Sequence, residues 1–285
     1  MHQYLDLLKK ILDQGEEEMD RTGVGTISIH SEAIHFNLKH GFPITTTKFV
    51  PIRLPAVELE FFRDGRTDKA WLQEHKCSIW DEWCAPYLLE GKTFASREEK
   101  LAFMKEQKDL GPIYGYQWRN WPTENGVGID QLSQAIEKIK KNPMDRAIIV
   151  SAWNVSELHK MALRPCHTMF QFHVRPSGVL DLEWHQRSVD TCLGLPFNIA
   201  SYALLCHLVA RECNLGVGKL TGFLGDVHIY KNHVEQAREQ IRRVPLELPN
   251  LSFKRWEGFW NWHAEDCELL SYEHHGKIPY EMTAI

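Results

Sequence analysis

Hydrophobic residues recur at helical spacing near the start of the chain and in several later segments. Leu5, Leu8, Ile11 and Leu12 share one face of a helix, and Gly15 is a natural end for it. Further helices are predicted from Pro55, within Arg97–Gln107, and over Ile129–Ile139 and Asn232–Arg243.

Residues 198–213 differ from these segments because they are apolar almost all round. A helix of that kind offers no face to water, so Asn198–Cys213 is predicted to be a long helix buried at the centre of the protein. Asn198 would open this helix, and an ordinary N-cap is a strong alternative to any functional role of its amide.

Alternating and short apolar runs predict the strands. Pro176-Ser177-Gly178 supplies turn chemistry between two such runs, which predicts a hairpin. The predicted strands are Ile27–Ile29, Ile34–Leu38, the buried Ala147–Trp153, and the hairpin pair Thr168–Val174 and Val179–His185.

Helices and strands mix along the chain without regular β-α alternation, and no repeat or linker interrupts them. The predicted fold class is therefore α+β, with a mixed β-sheet packed by helices around the long central helix. We expect residues 1–285 to form a single domain. Residues 85–107 are charged and carry few signals of order, so they are predicted to be a surface insertion.

Charge and cysteine usage limit the classes of function. A formal net charge of -5 argues against binding DNA or other bulk nucleic acid, although a few local arginines could still hold a phosphate. No apolar run is long enough to span a bilayer and no secretory signal pattern opens the chain, so we expect no membrane association. Seven cysteines without a C-x-x-C pair fit reduced thiols in a cytoplasmic protein. The 15 histidines form no zinc motif, so no metal site is expected.

The most informative chemistry lies between residues 164 and 198. Cys166 sits between Pro165 and His167 at the start of a predicted strand, and Arg187 lies on the neighbouring strand of the hairpin. A nearby guanidinium favours the thiolate, the form that attacks electron-poor double bonds. Cys166 is therefore a candidate nucleophile, although a single cysteine is more often an inert core residue.

Polar residues near Cys166 are suited to a nucleotide. Arg187 and Ser188 could share a phosphate, with Arg21 on a turn as a second guanidinium; a surface salt bridge is the commoner role for an arginine. The Asn198 amide could accept from a ring N–H and donate to a carbonyl, which is the pair that uracil presents. Together these residues predict a nucleotide-modifying active site.

Other candidates have equally plain structural alternatives. Asp190 could cap a loop or hold an amide-rich ligand. His228 and Tyr230 point to one side of a predicted strand, either as hydrogen-bonded core residues or as ligands of a sugar hydroxyl. Trp80 and Trp83 share one face of a helical turn, either as stacked core or as a platform for a flat cofactor.

Taken together, these segments closely resemble the thymidylate synthase family over essentially the whole chain, apart from the insertion near 85–107. The matching runs are Asp20-Arg21-Thr22-Gly23, Thr46-Thr47-Lys48, Ile79–Trp83, Gly111–Gly115, Ile149–Asn154, Pro165-Cys166-His167, Gln186–Asp190, Leu193–Tyr202, Gly225–Tyr230 and Ala284-Ile285.

The resemblance implies reductive methylation of dUMP to dTMP, with 5,10-methylenetetrahydrofolate as the donor of carbon and hydride. Cys166 would add to C6 of dUMP, Glu58 and Tyr114 would assist proton transfer, and Asn198 and Asp190 would complete the catalytic set. The implied dUMP-binding residues are Arg21, Arg187, Ser188, Val189, Asp190, Asn198, His228, Tyr230 and, from the other subunit of a homodimer, Arg146.

The resemblance also implies a folate site and a dimer interface on one face of the sheet. Asp190 would hold the pterin ring, and Ile285 resembles the family's closing latch, which excludes water. The implied folate-binding residues are Trp80, Trp83, Leu163, Asp190, Leu193, Gly194, Phe197 and Ala284.

Some positions depart from the family pattern. They are Ala147 in place of a second arginine after Arg146, Pro51 in place of a common histidine, His185 in place of the usual tyrosine, and Arg164 in place of a small residue or proline.

The departure with most bearing on function is Glu58-Leu59-Glu60, which resembles the run in phage pyrimidine hydroxymethylases. The alternative function is therefore a dUMP 5-hydroxymethylase, in which water takes the place of hydride. Glu60 lies two positions, about 200°, around the helix from Glu58, so we expect it to face the surface and point away from the site. Asn198 disfavours a dCMP enzyme, and the nucleophile Cys166 disfavours a pure binding protein.

Overall fold

A six-stranded mixed sheet lies at the centre of the computed structural model, which describes residues 1–20, 22–281 and 283. Its strands, in chain order, are β1 Glu16–Glu18, β2 Thr26–Asn37, β3 Ile149–Ser151, β4 His167–Arg175, β5 Val179–Asp190 and β6 Gly216–Tyr230. Their spatial order is β1-β2-β6-β5-β4-β3, and β7 Asn250–Phe253 and β8 Cys267–Leu270 form a separate antiparallel pair. The helices are α1 His2–Gln14, α2 Arg53–Arg63, α3 Lys69–Glu74, α4 Arg97–Glu106, α5 Tyr114–Arg119, α6 Gln131–Lys141, α7 Gly194–Glu212 and α8 Val234–Arg242. The α+β class predicted from the sequence is confirmed.

Strands β5 and β6 run parallel, whereas the other neighbours in the sheet are antiparallel. Parallel neighbours need a crossover connection, and α7 provides it by packing against both strands. Residues such as Ile199, Leu204 and Leu205 on α7 are fully buried, so the predicted central helix is confirmed.

Helix α7 begins at Gly194, four residues before the predicted start, and Leu193 is its N-cap. Pro196 falls in the first turn, where a missing backbone N–H leaves no helical hydrogen bond unmade. Asn198 therefore lies inside the helix, and the expectation that it opens the helix as an N-cap is wrong.

Three predicted strands are also wrong in their extent. Ile27–Ile29 and Ile34–Leu38 belong mostly to one strand, β2, because β6 pairs with it in a single register on both sides of Ser31. Within Ala147–Trp153 only Ile149–Ser151 is strand, and Ile149 is 40% exposed because β3 is at the edge of the sheet.

The hairpin of β4 and β5 is confirmed, but β5 extends to Asp190, five residues beyond its predicted end. The reason is that β6 continues to pair with it as far as the partners Asp190 and His228. This extension brings Arg187 and Ser188 into the strand and sets them beside the residues of β6.

The helical predictions at Leu5–Gly15, Pro55, Arg97–Gln107 and Ile129–Ile139 are confirmed by α1, α2, α4 and α6. The predicted helix from Asn232 starts with a short 3-10 turn before α8.

Lys69 anchors the insertion that contains α4. Its side chain is fully buried, and its Nζ donates to the carbonyl oxygens of Asp81, Trp83 and Met104 at 2.8–2.9 Å. One ammonium group therefore joins the loop that carries Trp83 to the end of α4.

The face of the sheet opposite α7 is only partly covered in the single chain. Phe223 alternates with residues that face α7, and its side chain is 39% exposed. Its ring stacks against His185 of β5 with centroids 4.9 Å apart. Within the described residues, no helix has the length and apolar character needed to cross a membrane.

Candidate active site

The candidate active site is a cleft of about 1030 Å³ at one end of the central strands of the sheet. The parallel strands β5 and β6 end there, and the antiparallel strands β2 and β4 begin there. Because four strand ends converge, residues distant in sequence come together. Those that line the cleft include Thr26, Cys166, Arg187, Ser188, Asp190, Asp226, His228 and Tyr230.

Cys166 immediately precedes β4 and is half-buried at the wall of this cleft. Its backbone N–H donates to the Tyr114 hydroxyl at 2.7 Å, and its carbonyl accepts from the backbone N–H of Arg187 at 2.8 Å. The main chain on both sides of the thiol is thus held in place, as a nucleophile requires.

Arg187 is positioned by contacts that its sequence neighbourhood does not suggest. Its Nε donates to the carbonyl of Pro165 at 2.9 Å, and an Nη donates to the carbonyl of Arg164 at 3.0 Å. The guanidinium also lies over the ring of Trp153, 5.5 Å from its centroid. The cation is therefore held beside the segment that carries Cys166, where it favours a thiolate or an anionic ligand.

Asn198 is oriented by a chain of hydrogen bonds that starts on β5. Trp184 Nε1 donates to Gln186 Oε1 at 3.0 Å, and Gln186 Nε2 donates to Asn198 Oδ1 at 3.1 Å. This contact fixes which side of the Asn198 amide is the carbonyl. A residue with a fixed acceptor and a fixed donor can distinguish one edge of a heterocycle from another. Gln186 is a positioning residue that was not predicted from the sequence. It lies two residues from both Trp184 and Ser188 on the same face of the strand, and this spacing could have indicated its role.

Glu58 is buried in α2, 8% exposed, and accepts a 2.7 Å hydrogen bond from Trp80 Nε1. Burial raises the pKa of Glu58 to about 7, against the opposing effect of the Trp80 hydrogen bond. A carboxyl group that titrates near neutral pH can both take up and release a proton, which suits general acid–base chemistry.

Tyr114 and His167 form a buried aromatic layer behind Cys166. Their rings stack with centroids 4.2 Å apart, and His167 Nδ1 lies 2.7 Å from the Tyr202 hydroxyl. Burial lowers the pKa of His167 to about 3 and raises that of Tyr114 well above its usual value. Both rings are therefore neutral at physiological pH, and the Tyr114 hydroxyl keeps its proton.

Asp190 both lines the cleft and caps the loop before α7. Its Oδ1 accepts from the backbone N–H groups of Cys192 and Leu193 at 3.1 and 3.0 Å. The two roles that the sequence left open are compatible, since one carboxylate oxygen serves the loop and the side chain still borders the cleft. Lys48 also holds this loop in place, because its Nζ donates to the Cys192 carbonyl.

The implied folate-binding residues that the structure describes divide into three groups. Trp83, Leu163 and Asp190 line the cleft. Trp80 is buried behind it, edge-on to Trp83 with centroids 6.1 Å apart, and the two lie on a turn instead of a helix. Leu193, Gly194 and Phe197 lie at the start of α7.

The insertion contributes to the cleft directly. Arg97, Lys100, Leu101 and Met104 of α4 line the same cavity as Cys166. Residues of the segment predicted as a surface insertion therefore form a wall of the candidate site, which the segment's lack of sequence signals did not reveal.

Three of the described residues implied to bind dUMP, Val189, Asn198 and Arg146, are not among those that line the cleft. Val189 is buried in the core, Asn198 lies in the first part of α7, and Arg146 is exposed. Arg21 and Ala284 lie outside the described residues, as does Ile285. Among residues 1–20, 22–281 and 283, no group of three His, Cys, Asp or Glu side chains could hold a metal ion.

Glu60 does not face the surface, so that expectation is wrong. It is 3% exposed, and its carboxylate accepts from the backbone N–H of Ala264 and pairs with His263 Nδ1, both at 2.7 Å. Arg63 lies 3.8 Å from the same carboxylate. Glu60 is buried because it caps the short 3-10 helix that packs on α2, whereas Glu58 bonds to Trp80.

A protein-family model described as thymidylate synthase matches residues 2–284, essentially the whole chain. The matched span includes the residues that line the cleft and those that hold Asn198, Glu58 and Cys166 in place.

Proposed function

The chain belongs to the thymidylate synthase family, and we propose that it converts dUMP to dTMP with 5,10-methylenetetrahydrofolate as the second substrate. Family membership supports an enzyme that methylates or hydroxymethylates dUMP. The observation that supports dUMP as the substrate is the convergence of Cys166, Arg187, Ser188 and His228 on one cleft. A nucleophile, an anion-binding group and a sugar-binding group are thus within reach of one nucleotide.

Cys166 attacks C6 of the uracil ring, and the electron pair of the C5–C6 double bond moves to C5. The nucleophilic C5 then forms a bond to the one-carbon unit of the folate. Loss of the C5 proton and expulsion of tetrahydrofolate leave an exocyclic methylene, which accepts a hydride from the tetrahydrofolate. Release of Cys166 gives dTMP and dihydrofolate.

Asn198 supports this chemistry by reading the uracil edge. With Oδ1 oriented by Gln186, the amide accepts from N3–H and donates from its NH₂ group to O4. The same contact stabilises the negative charge that develops on O4 when the thiolate adds to C6.

Glu58 and Tyr114 move the protons. The pKa of Glu58 near 7 allows it to relay protons through water to and from the base, and the Tyr114 hydroxyl lies next to the nucleophile. Arg187 and Ser188, with Arg21, bind the phosphate, and His228 and Tyr230 bind the sugar hydroxyl.

The folate lies against Trp83, Leu163 and Asp190, with Trp80, Leu193, Gly194 and Phe197 behind them and Ala284 at the C-terminal end. Asp190 presents a carboxylate suited to the amide-like edge of the pterin ring. This wall must also keep water from the exocyclic methylene until the hydride arrives.

The competing function is dUMP 5-hydroxymethylation, in which water attacks the exocyclic methylene. The sequence basis for that alternative is the Glu58-Leu59-Glu60 run, and the reaction would need a water beside Glu58, which Glu60 could hold only if its carboxylate faced the site. The contacts of Glu60 with Ala264, His263 and Arg63 favour the synthase, because its carboxylate is engaged on the far side of α2. Chromatography with mass analysis of the product tests the choice: dTMP supports the proposal, and 5-hydroxymethyl-dUMP contradicts it.

We further propose a homodimer in which Arg146 reaches the phosphate site of the partner subunit. Arg146 is exposed and does not line the cleft of its own chain, and the partly exposed Phe223 face offers a surface for association. Mixed Arg146→Glu and Cys166→Ala subunits should regain activity, because one site of each hybrid has neither defect. Demonstrated subunit exchange without recovery would contradict donation across the interface.

A further inference from the structure

Asp226 is a cleft residue to which neither the sequence motifs nor the proposed mechanism assigns a role. It lies two residues before His228 on β6, so both side chains leave the same face of the strand. His228 Nδ1 is 3.2 Å from Asp226 Oδ1, and both residues line the cleft. The pair is a carboxylate and an imidazole at the place where a sugar would bind.

This contact determines which hydrogen-bonding role the imidazole offers. A carboxylate can only accept, so Nδ1 must carry the hydrogen that is shared with Asp226. In the neutral ring Nε2 then has a lone pair and no hydrogen. A ligand at Nε2 is bound as a donor, and a sugar hydroxyl is such a donor.

The strand pairing around the two residues restricts their movement. In the parallel register Ser188 is the partner of Asp226 and Asp190 the partner of His228. At Gly225 a Cβ would come within 2.8 Å of the Arg187 carbonyl oxygen, so β5 and β6 approach closely here. The His228 side chain is 8% exposed and edge-on to Tyr230, with centroids 5.2 Å apart.

The charge of Asp226 is maintained by its surroundings. The hydrogen bond from His228 lowers the pKa of Asp226, and the positive charge of Arg187 acts in the same direction, against partial burial. Asp226 is therefore an anion at neutral pH and accepts from Nδ1 under the conditions of catalysis.

We propose that Asp226 is a positioning residue that fixes His228 as a hydrogen-bond acceptor and so makes the site selective for nucleotides with a free 3′-hydroxyl. The inference rests on the proposed function, since it takes dUMP as the ligand. A 3′-deoxy nucleotide has no hydrogen to donate to Nε2. A 3′-phosphorylated nucleotide lacks the donor as well and meets the carboxylate of Asp226, so it is rejected more strongly.

The test compares two nucleotides on three proteins by isothermal titration calorimetry. The nucleotides are dUMP and 2′,3′-dideoxyuridine 5′-monophosphate, which differ only in the 3′-hydroxyl. The proteins are the wild type, Asp226→Ala, and Asp226→Asn, whose amide oxygen can still accept from Nδ1. Circular dichroism at the titration temperature selects variants that are folded.

The wild type should prefer dUMP by roughly tenfold or more, because the analogue leaves a polar group of the site unpaired. Asp226→Ala should lose most of this preference through weaker binding of dUMP alone, and Asp226→Asn should retain most of it. The dideoxy analogue should bind all three proteins about equally, which a general structural defect would not allow.

Three results would overturn the inference: an undiminished preference in Asp226→Ala, equal losses for both nucleotides, or a wild type without preference. If the wild type binds neither nucleotide, the proposed function itself fails, which separates that failure from the failure of this inference.

Discussion

Replacing Glu58 by glutamine should stabilise the protein at alkaline pH while it stops catalysis. Glutamine has nearly the same shape, and its amide oxygen can accept the hydrogen bond from Trp80 Nε1. What it removes is the ionisable group. Burial raises the pKa of Glu58 to about 7 from an ordinary value of 4.5, so folding favours the protonated form.

The sign and size of the effect follow from this difference. A carboxyl group whose pKa is raised on folding contributes stability that is complete below its unfolded pKa and is lost as the pH rises through the folded pKa. The difference between 4.5 and about 7 corresponds to about 3 kcal/mol, of which about 2 kcal/mol is lost between roughly pH 5.5 and 8.5. The glutamine of Glu58→Gln does not ionise, so the variant does not lose this stability as the pH rises.

Urea unfolding of both proteins at fixed protein concentration gives the measurement. The free energy of unfolding of Glu58→Gln minus that of the wild type should rise by about 2 kcal/mol across this pH range. Glu60→Gln is the matched control, two positions away. Its carboxylate bonds to Ala264 and His263, so this substitution should destabilise the protein at pH 8.5. A difference in the free energy of unfolding between Glu58→Gln and the wild type that stays constant across this pH range would refute the reasoning.

Three other substitutions probe separate parts of the site. Cys166→Ala should abolish turnover yet change the Kd for dUMP only a few-fold, because the thiol acts through a bond made during reaction; activity within tenfold of wild type would remove it from the mechanism. Asn198→Asp should shift the ratio of kcat/KM values from dUMP towards dCMP by roughly tenfold or more, since one buried polar edge is mispaired, and an unchanged ratio would mean that the base is read elsewhere. Lys69→Met should lower the free energy of unfolding by about 2–4 kcal/mol and raise KM for the folate more than for dUMP, because three carbonyls that hold the Trp83 loop and α4 lose their donor. Equal changes in both KM values would reduce Lys69 to a stabilising role.

Local patterns were sufficient for much of the fold. The turn at Pro176-Ser177-Gly178 identified the hairpin of β4 and β5, and the apolar run after Asn198 identified α7. What failed depends on partners distant in the chain. The extension of β5 to Asp190 and the continuity of β2 are both set by pairing with β6, which no local pattern encodes.

In the candidate site, too, local patterns indicated some features, whereas features set by distant partners were missed. The motif around Cys166 indicated a nucleophile, and Arg187, Ser188 and His228 line the same cleft as Cys166, while their binding roles stay predictions. The burial of Glu60 was missed because its partners, Ala264 and His263, lie about two hundred positions further along the chain. Gln186 was missed as a residue that orients Asn198 for a related reason: the contact joins a strand to a helix through their tertiary packing.

The most direct test of the central claim is to follow the hydride. The enzyme is supplied with dUMP and 5,10-methylenetetrahydrofolate that carries deuterium at C6 of the pterin ring, and the nucleotide product is analysed by mass spectrometry. Reductive methylation predicts dTMP with one deuterium in its methyl group, together with an equal amount of dihydrofolate. A hydroxymethylated nucleotide without deuterium, accompanied by tetrahydrofolate, would contradict it.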